Sequence, residues 1–255
     1  MMSRHTHDVV ILPGVEPLME AAAERLVTRA ATAIRSSGRF CVALAGGSTP
    51  KGLYELLATP RYARRIDWSS VHVFWGDERC VPPDDPASNY RMARETLLDH
   101  VPVPPSNVHR IRGEDRPAAA AVAYEDELRR VFSTLEGPPR EACFDVVLLG
   151  MGDNGHTASL FPGLTAVHEC SRWVVAEYVS EVSMWRVTLT SPVINAAADV
   201  VFLVSGSGKA SMLQRVLEGP HRPDTLPAQA IMPHGSTTWL VDVAAAAELR
   251  ETPRR

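Results

Sequence analysis

Lysine is almost missing from this chain: of 26 basic residues only Lys51 and Lys209 are lysine, and both stand at glycine-rich turns. In a protein that otherwise uses arginine, a retained lysine is a candidate for a place that needs a compact ammonium rather than a planar fork. Cysteine is sparse as well. Cys41, Cys80, Cys143 and Cys170 lie far apart with no Cys-x-x-Cys pair, which argues against a zinc site or a disulfide framework and leaves them to be read as buried, reduced thiols. A surplus of positive charge is also lacking. The formal net charge is −4 with histidine neutral, which argues against a general nucleic-acid binder and makes any basic site local. No apolar stretch approaches the roughly 20 residues that span a bilayer. The start of the chain, Met1 to Asp8, carries Arg4, His5 and His7 but leads into an apolar run too short for a signal sequence. A soluble cytoplasmic protein without a membrane partner is expected. At 255 residues and 45% hydrophobic the chain can bury a sizeable core, and with no repeat or low-complexity linker residues 1–255 are expected to form a single α/β domain.

Several catalytic signatures are absent. No serine lies in a G-x-S-x-G elbow and there is no H-E-x-x-H, so serine-hydrolase and metalloprotease readings lack their motifs. Gly150-Met151-Gly152-Asp153-Asn154-Gly155 satisfies G-x-G-x-x-G after a strand, but Phe161-Pro162-Gly163 breaks the following helix after barely two turns, where a dinucleotide fold needs a full crossover helix. Lys209 does not belong to a phosphate-binding P-loop either. Leu203 stands where its first glycine should be and Ala210 where a hydroxyl would hold magnesium.

What is present alternates regularly. Asp8–Leu12 reads as a strand, Glu16–Ser36 as a long amphipathic helix, Phe40–Ala45 as a buried strand, and Gly46 to Gly52 as a turn opening a helix with Thr49 as N-cap and Pro50 at its first position. Val71–Trp75 is a strand ending in a charged loop, Gly76-Asp77-Glu78-Arg79. Ser88-Asn89-Tyr90 starts a helix reaching about His100, Val108–Ile111 is a short strand, and Arg116–Leu135 an alanine-rich helix. An apolar run from Phe144 to Leu149 enters the glycine loop with His156 at its tip. Trp173–Val179 and Trp185–Leu189 form an antiparallel excursion, Ser191–Ala196 a short helix and Asp199–Val204 a strand. A helix over Ala210–Leu217, a proline-rich loop, a strand over Thr238–Val241 and a closing helix over Val243–Glu251 complete the chain. This order predicts a three-layer α/β fold: a mostly parallel sheet with helices on both faces.

In such a fold the loops after the strands gather at one sheet edge. They would bring together Gly46 to Lys51 with its helix start at Ser48 and Thr49, the charges of Asp77, Glu78 and Arg79 after Gly76, the loop from Gly150 to His156, and Gly206 to Lys209, with Arg186 on a nearby strand. A helix start flanked by glycines suits a phosphate. A loop histidine taken alone is more often solvated than catalytic, but among these neighbours it is placed for proton transfer. The set is an inventory for acid–base chemistry on a phosphorylated metabolite without a metal.

Gly46-Gly47-Ser48-Thr49-Pro50, Trp75-Gly76-Asp77-Glu78-Arg79, Gly152 through Pro162, and Arg186-Val187-Thr188-Leu189-Thr190 resemble, in order and spacing over nearly the whole chain, the successive signatures of the glucosamine-6-phosphate isomerase/6-phosphogluconolactonase family, in its lactonase version. The resemblance implies the modified Rossmann-like fold shared with glucosamine-6-phosphate deaminases and ribose-5-phosphate isomerases. It implies hydrolysis of 6-phospho-D-glucono-1,5-lactone in the oxidative pentose phosphate pathway, no metal or organic cofactor, and a small sugar phosphate as partner of a monomer or small homo-oligomer. His156, Asn154 and Arg186 would be catalytic. Gly46, Gly47, Ser48, Thr49, Asp77, Glu78, Arg79, Asn89, Gly155 and Lys209 would bind substrate and phosphate. A sugar-6-phosphate isomerase or deaminase, or a sugar-phosphate sensing module, is the alternative on the same fold. One position departs from the pattern: Asn154 stands where the lactonase motif usually has Asp, so either Asp153 or a carboxylate from Asp77 and Glu78 replaces its charge, or that charge matters less than its frequency in the motif suggests.

Overall fold

Near-continuous apolar runs become parallel strands covered on both faces, because a βαβ crossover lays a helix over the sheet and leaves no face for polar side chains. The computed structural model describes residues 8–133 and 144–250. Its large sheet contains β1 (Asp8–Leu12), β2 (Phe40–Leu44), β3 (Val71–Trp75), β5 (Val146–Leu149), β8 (Asp199–Val204) and β9 (Ser236–Asp242), in the order β1-β9-β8-β5-β2-β3. Every pair in it is parallel. A smaller antiparallel sheet holds β4 (Asp77–Arg79), β7 (Met184–Leu189) and β6 (Val174–Val179).

The helices are α1 (Val15–Ser37), α2 (Ser48–Leu57), α3 (Pro60–Ala63), α4 (Asn89–Thr96), α5 (Pro117–Ser133), α6 (Ser191–Asn195) and α7 (Ala210–Glu218). α1 buries Leu18, Ala22, Leu26 and Ala30, one every four residues along its inner face, and ends where Gly38 takes φ 74 and donates to the Ile34 carbonyl. Its polar side carries Arg25 and Arg29 to the fully buried Asp199 at the start of β8, with Nε–Oδ2 distances of 2.7 and 3.0 Å. α5 lies between the two sheets. Phe132 meets Phe74 of β3 on one side and Trp173, next to β6, on the other, with ring centroids 5.7 and 6.5 Å apart.

The carboxyl ends of the strands are held in an economical way. The hydroxyl of buried Tyr54 accepts from the Ala45 N–H and donates to the Ala45 carbonyl, at 2.9 and 2.8 Å; Tyr124 treats Trp75 the same way, at 2.9 Å each. Two tyrosines thus satisfy the last peptide groups of β2 and β3, where the ladder stops and an unpaired buried N–H or C=O would cost about 1–3 kcal/mol.

Some expectations change. The charged loop after β3 includes β4, because Asp77, Glu78 and Arg79 pair with Thr188, Val187 and Arg186. Val108–Ile111 makes only one bridge, Val108 with Val73, and no strand. Thr49 is not the N-cap: Gly47, at φ 106, starts α2 one residue before Ser48, and the Thr49 hydroxyl instead bonds Ser205 Oγ at 2.9 Å. The closing helix is a series of turns over the described part of 243–251. Asp242 accepts there from the N–H groups of Ala245 and Gly206, and Val243 donates to the Leu12 carbonyl, so the backbone is tied to β1 and to the loop after β8. Cys41 is buried, Cys80 half-buried and Cys170 exposed. The last of these corrects the reading of all the cysteines as buried. Cys143, Leu135, Glu251 and the residues before Asp8 lie outside the described residues.

Candidate active site

β2 and β5 are neighbours, yet the chain leaves β2 toward β3 on one side and leaves β5 toward β8 on the other. Loops that part in this way open a crevice at the carboxyl edge, where α/β sheets bind ligands. The structure has a cleft of about 440 Å³ there. Its walls are Gly46 and Gly47 after β2, Gly76 and Asp77 after β3, Gly150 to Asn154 and His156 to Ser159 after β5, Asn89, Glu181, and the arginines Arg79 and Arg186.

His156 is fixed from several directions. Its Nδ1 lies 2.6 Å from Asn154 Oδ1, and its backbone N–H donates to the same oxygen at 3.1 Å. A carbonyl oxygen can only accept, so Nδ1 carries the proton and Nε2 the lone pair. The Asn154 amide is in turn oriented by Glu181, whose Oε2 accepts from Asn154 Nδ2 at 2.8 Å. Phe161 stacks on the imidazole with centroids 4.0 Å apart. Gly152 is required beneath the ring, because a Cβ there would stand 2.1 Å from His156 Cε1 and Nδ1. Burial lowers the imidazole pKa to about 4; Asp77 and Asp153 oppose this, and Lys209 and Arg186 reinforce it. The ring is therefore neutral at pH 7 and able to accept a proton, and once charged it returns that proton readily.

The opposite wall is cationic. Arg79 and Arg186 face each other in register across β4 and β7. Like charges directly opposite on a sheet repel. Each has a buried Nε without a hydrogen-bond partner among the described residues, while Arg79 Nη1 donates to the Ala87 carbonyl. Burial, opposed by Asp77 and aided by Arg79, lowers the Arg186 pKa. Asp77 sits between this wall and the histidine. Its Oδ2 accepts from Ser159 Oγ at 2.6 Å and its Oδ1 from Asn89 Nδ2 at 3.3 Å. Asn89 leans directly on Gly46, where an added Cβ would stand 2.1 Å from Asn89 Oδ1. The start of α2, with no side-chain cap, completes the wall at Gly47.

A model of the family described as glucosamine-6-phosphate isomerases/6-phosphogluconolactonase matches residues 14–239. The chain belongs to this family. It is 42% identical over 242 residues to a 6-phosphogluconolactonase of Nostoc sp., covering 94% of this chain and 98% of that one. A 6-phosphogluconolactonase of Mycobacterium tuberculosis is 40% identical over 247 residues, again covering 94% and 98%. Among solved structures, 6-phosphogluconolactonase from Trypanosoma cruzi superposes with a TM-score of 0.85 at 30% identity, covering 97% of this chain and 98% of that one. A monomeric glucosamine-6-phosphate deaminase shares the fold, with a TM-score of 0.79 at 23% identity.

Within this family member, the cleft unites His156, Asn154, Arg186, Asp77, Arg79, Asn89, Gly46 and Gly47 of the residues expected from the sequence. The others lie outside it. Ser48 lines an adjoining hollow with Gly47, Arg79 and Asn89. Glu78 is buried and accepts from the backbone N–H groups of Arg79, Asn89 and Tyr90 and from Ser88 Oγ, so it secures the start of α4 instead of facing substrate. Desolvation raises its pKa against those bonds. Gly155, at φ 80, shapes the loop and packs toward Leu226 and Met212. Lys209 is engaged with Asp153 at 2.5 Å. Of the carboxylates expected to stand in for an aspartate at position 154, Asp153 is bound to Lys209, Asp77 to Ser159 and Glu78 to α4; the carboxylate that meets Asn154 is Glu181. Neither Glu181 nor Ser159 is among the site residues expected from the sequence, although Ser159 lies within the Gly152–Pro162 motif. The turn that carries Glu181 has no sequence pattern linking it to position 154, which is 27 residues away.

No helix among the described residues is long and apolar enough to cross a membrane.

Proposed function

We propose that the chain hydrolyses 6-phospho-D-glucono-1,5-lactone to 6-phospho-D-gluconate, the lactone-opening step of the oxidative pentose phosphate pathway, in the cytoplasm. The observation that carries the reading is the opposition, across one cleft, of a neutral histidine with a free Nε2 and two arginines whose repulsion an anion relieves. The substrate phosphate lies against Arg79 and the uncapped start of α2, where two cationic sources meet. Held there, the lactone carbonyl is brought toward His156, and orientation supplies much of the barrier reduction. His156 Nε2 takes a proton from the attacking water. The tetrahedral oxyanion is stabilised by Arg186, whose attraction for an anion is less screened in its dry surroundings. As the intermediate collapses, the imidazolium returns its proton to the ring oxygen, which leaves as the C5 hydroxyl. Water's O–H and the lactone C–O bond break, and the carboxylic acid and the alcohol form. Asp77, fixed by Ser159 and Asn89, limits the positive charge gathered around the histidine.

The test follows lactone disappearance against its spontaneous hydrolysis, with and without protein, alongside the His156→Ala variant. Acceleration by wild type, with loss of roughly 100- to 10,000-fold in the variant, is the expected result. Turnover of glucosamine 6-phosphate in place of the lactone, or equal rates for the two proteins, would overturn it.

A further inference from the structure

His156 does not contact a carboxylate through its Nδ1. It contacts an amide, and an amide alone has two defects as a partner for a catalytic histidine: it brings no charge, and by rotating about its last bond it presents either a carbonyl or an NH2 to the ring. If the NH2 faced Nδ1, the imidazole proton would move to Nε2 and the base would be lost. The structure answers both defects with one side chain. Glu181 lies in the short 3-10 turn Ser180–Val182 at the tip of the β6–β7 hairpin and lines the cleft. Its Oε2 accepts from Asn154 Nδ2 at 2.8 Å, so the amide must turn Oδ1 toward His156, and Oδ1 meets both Nδ1 and the backbone N–H there.

We propose that Glu181 is a positioning residue that acts through Asn154: its carboxylate locks the amide in the orientation that puts the His156 proton on Nδ1, and it supplies at one remove the negative charge that Asn154 lacks. The inference rests on His156 being the general base of the proposed hydrolysis. A chain of donors runs His156 Nδ1–H to Asn154 Oδ1 and Asn154 Nδ2–H to Glu181, and each bond polarises the next. Other charges also reach the ring. Asp77 from β4 and Asp153 from the same loop favour the imidazolium; Lys209, before α7, and Arg186 of β7 oppose it; Phe161, stacked on the ring, is uncharged. Asp77 and Asp153 are each held by other partners, Ser159 and Lys209. Among the described residues, Glu181 is the carboxylate that reaches the Nδ1 side through hydrogen bonds.

The test compares Glu181→Gln, Glu181→Ala, Asn154→Asp and the double variant Asn154→Asp/Glu181→Gln. Glu181 is exposed on a turn, so its substitution leaves the fold in place. Glutamine still accepts from Asn154 but has lost the charge, whereas alanine also frees the amide to rotate. The acidic limb of kcat/KM should move to lower pH in Glu181→Gln, by roughly a few tenths of a unit for a solvent-screened charge. Glu181→Ala should lose roughly 10-fold or more in kcat with KM held, the usual scale for removing the partner that orients a histidine. Asn154→Asp alone sets two carboxylates against each other and should lose activity, while the double variant, in which the glutamine NH2 donates to the new aspartate, should recover most of it. Ring 15N shifts of His156 at pH 7, measured without substrate, should show the Nδ1–H tautomer in wild type and added Nε2–H tautomer in Glu181→Ala. Wild-type kcat, pH profile and tautomer in both Glu181 variants, or full activity in Asn154→Asp alone, would refute the proposal. A change in KM alone would make Glu181 a substrate contact and refute it equally. If the 15N tautomer responds to Glu181 while wild type shows no lactone turnover, the positioning role stands and the lactonase reading is what fails.

Discussion

Replacing Gly152 by alanine adds one methyl group under the His156 ring. That methyl would lie 2.1 Å from Cε1 and Nδ1 and 2.8 Å from Cγ. Carbon contacts settle at about 3.5–4.0 Å, so the imidazole has to retreat by more than an ångström. It cannot do so freely, since it is bonded to Asn154 at 2.6 Å and stacked on Phe161 at 4.0 Å. One of those contacts must give way, or the loop must shift. Displacement of a reacting group by about 1 Å can cost on the order of 100-fold, and that is the expected loss in kcat. The phosphate wall lies on β4, β7 and the start of α2, away from Gly152, so KM should change by less than about threefold, as for an interaction used only in the transition state. Gly152 does not have positive φ, so alanine is allowed by the backbone and only the local clash should lower the thermal midpoint, by a few degrees for an overpacking cost of roughly 1–3 kcal/mol. Steady-state kinetics on the lactone, with a melting curve and the His156 ring 15N shifts, measure all three. Gly152→Ala with kcat within a factor of three of wild type, and unmoved ring shifts, would refute the tight seat assigned to the histidine.

Gly46→Ala should act on binding instead, because its methyl displaces Asn89 from Asp77; a rise in KM of roughly 10-fold, larger than the fall in kcat, is expected from the same kinetics. Asp199→Ala leaves Arg25 and Arg29 facing a buried hole at the start of β8, so the protein should lose about 3 kcal/mol in a denaturant titration and melt roughly 6–12 °C lower, with lactone kinetics unchanged at 25 °C. Stability should also fall on acidification. His72 Nδ1 donates to His109 Nε2 at 3.0 Å, and His109 Nδ1 donates to Glu127 at 2.6 Å; burial, then the neighbouring His109, Arg39 and Arg130, lowers the His72 pKa to about 4. A folded-state pKa below the unfolded value for a histidine means that the unfolded chain binds the extra proton, so stability present above pH 6.5 is lost as pH falls toward 4. His72→Asn, which keeps a donor near the Nδ1 position, should remove roughly 1–2 kcal/mol of that pH dependence, discounted because the ring is only half-buried; an unchanged slope in urea titrations from pH 7 to pH 4 would exclude His72 as its source.

The parts of this fold that were legible in the sequence are those whose cause is local. Asp8–Leu12, Val71–Trp75 and Asp199–Val204 have the predicted bounds because an apolar run between polar turns needs no distant partner to be recognised as a buried strand. Glycine loops after β2, β3 and β5 pointed to one sheet edge, and they line the cleft there. The features that escaped are made by contacts between distant segments. Asp77-Glu78-Arg79 reads as a loop until β7, more than 100 residues later, offers it a partner strand. The segment after Asp242 has the alanine content of a helix, but Asp242 and Leu12 take its backbone donors and hold it in turns.

Asn154 shows how the two kinds of information combine. Read alone, it is a defect in a motif, an uncharged residue where charge is wanted. The sequence offered three carboxylates close to the motif as replacements, and each is engaged elsewhere for a reason the structure makes plain: Asp153 neutralises Lys209, Asp77 is anchored by Ser159, and Glu78 secures the start of α4. The vacancy is met from a hairpin tip that reaches the cleft wall because β6 and β7 pair in the register Val179–Met184. A one-residue slip of that register would turn the strand faces over and carry Arg186 out of the cleft, and it would move the turn that holds Glu181. The same pairing therefore fixes the oxyanion-side arginine and the carboxylate behind the histidine, which ties the two halves of the proposed chemistry to one piece of secondary structure.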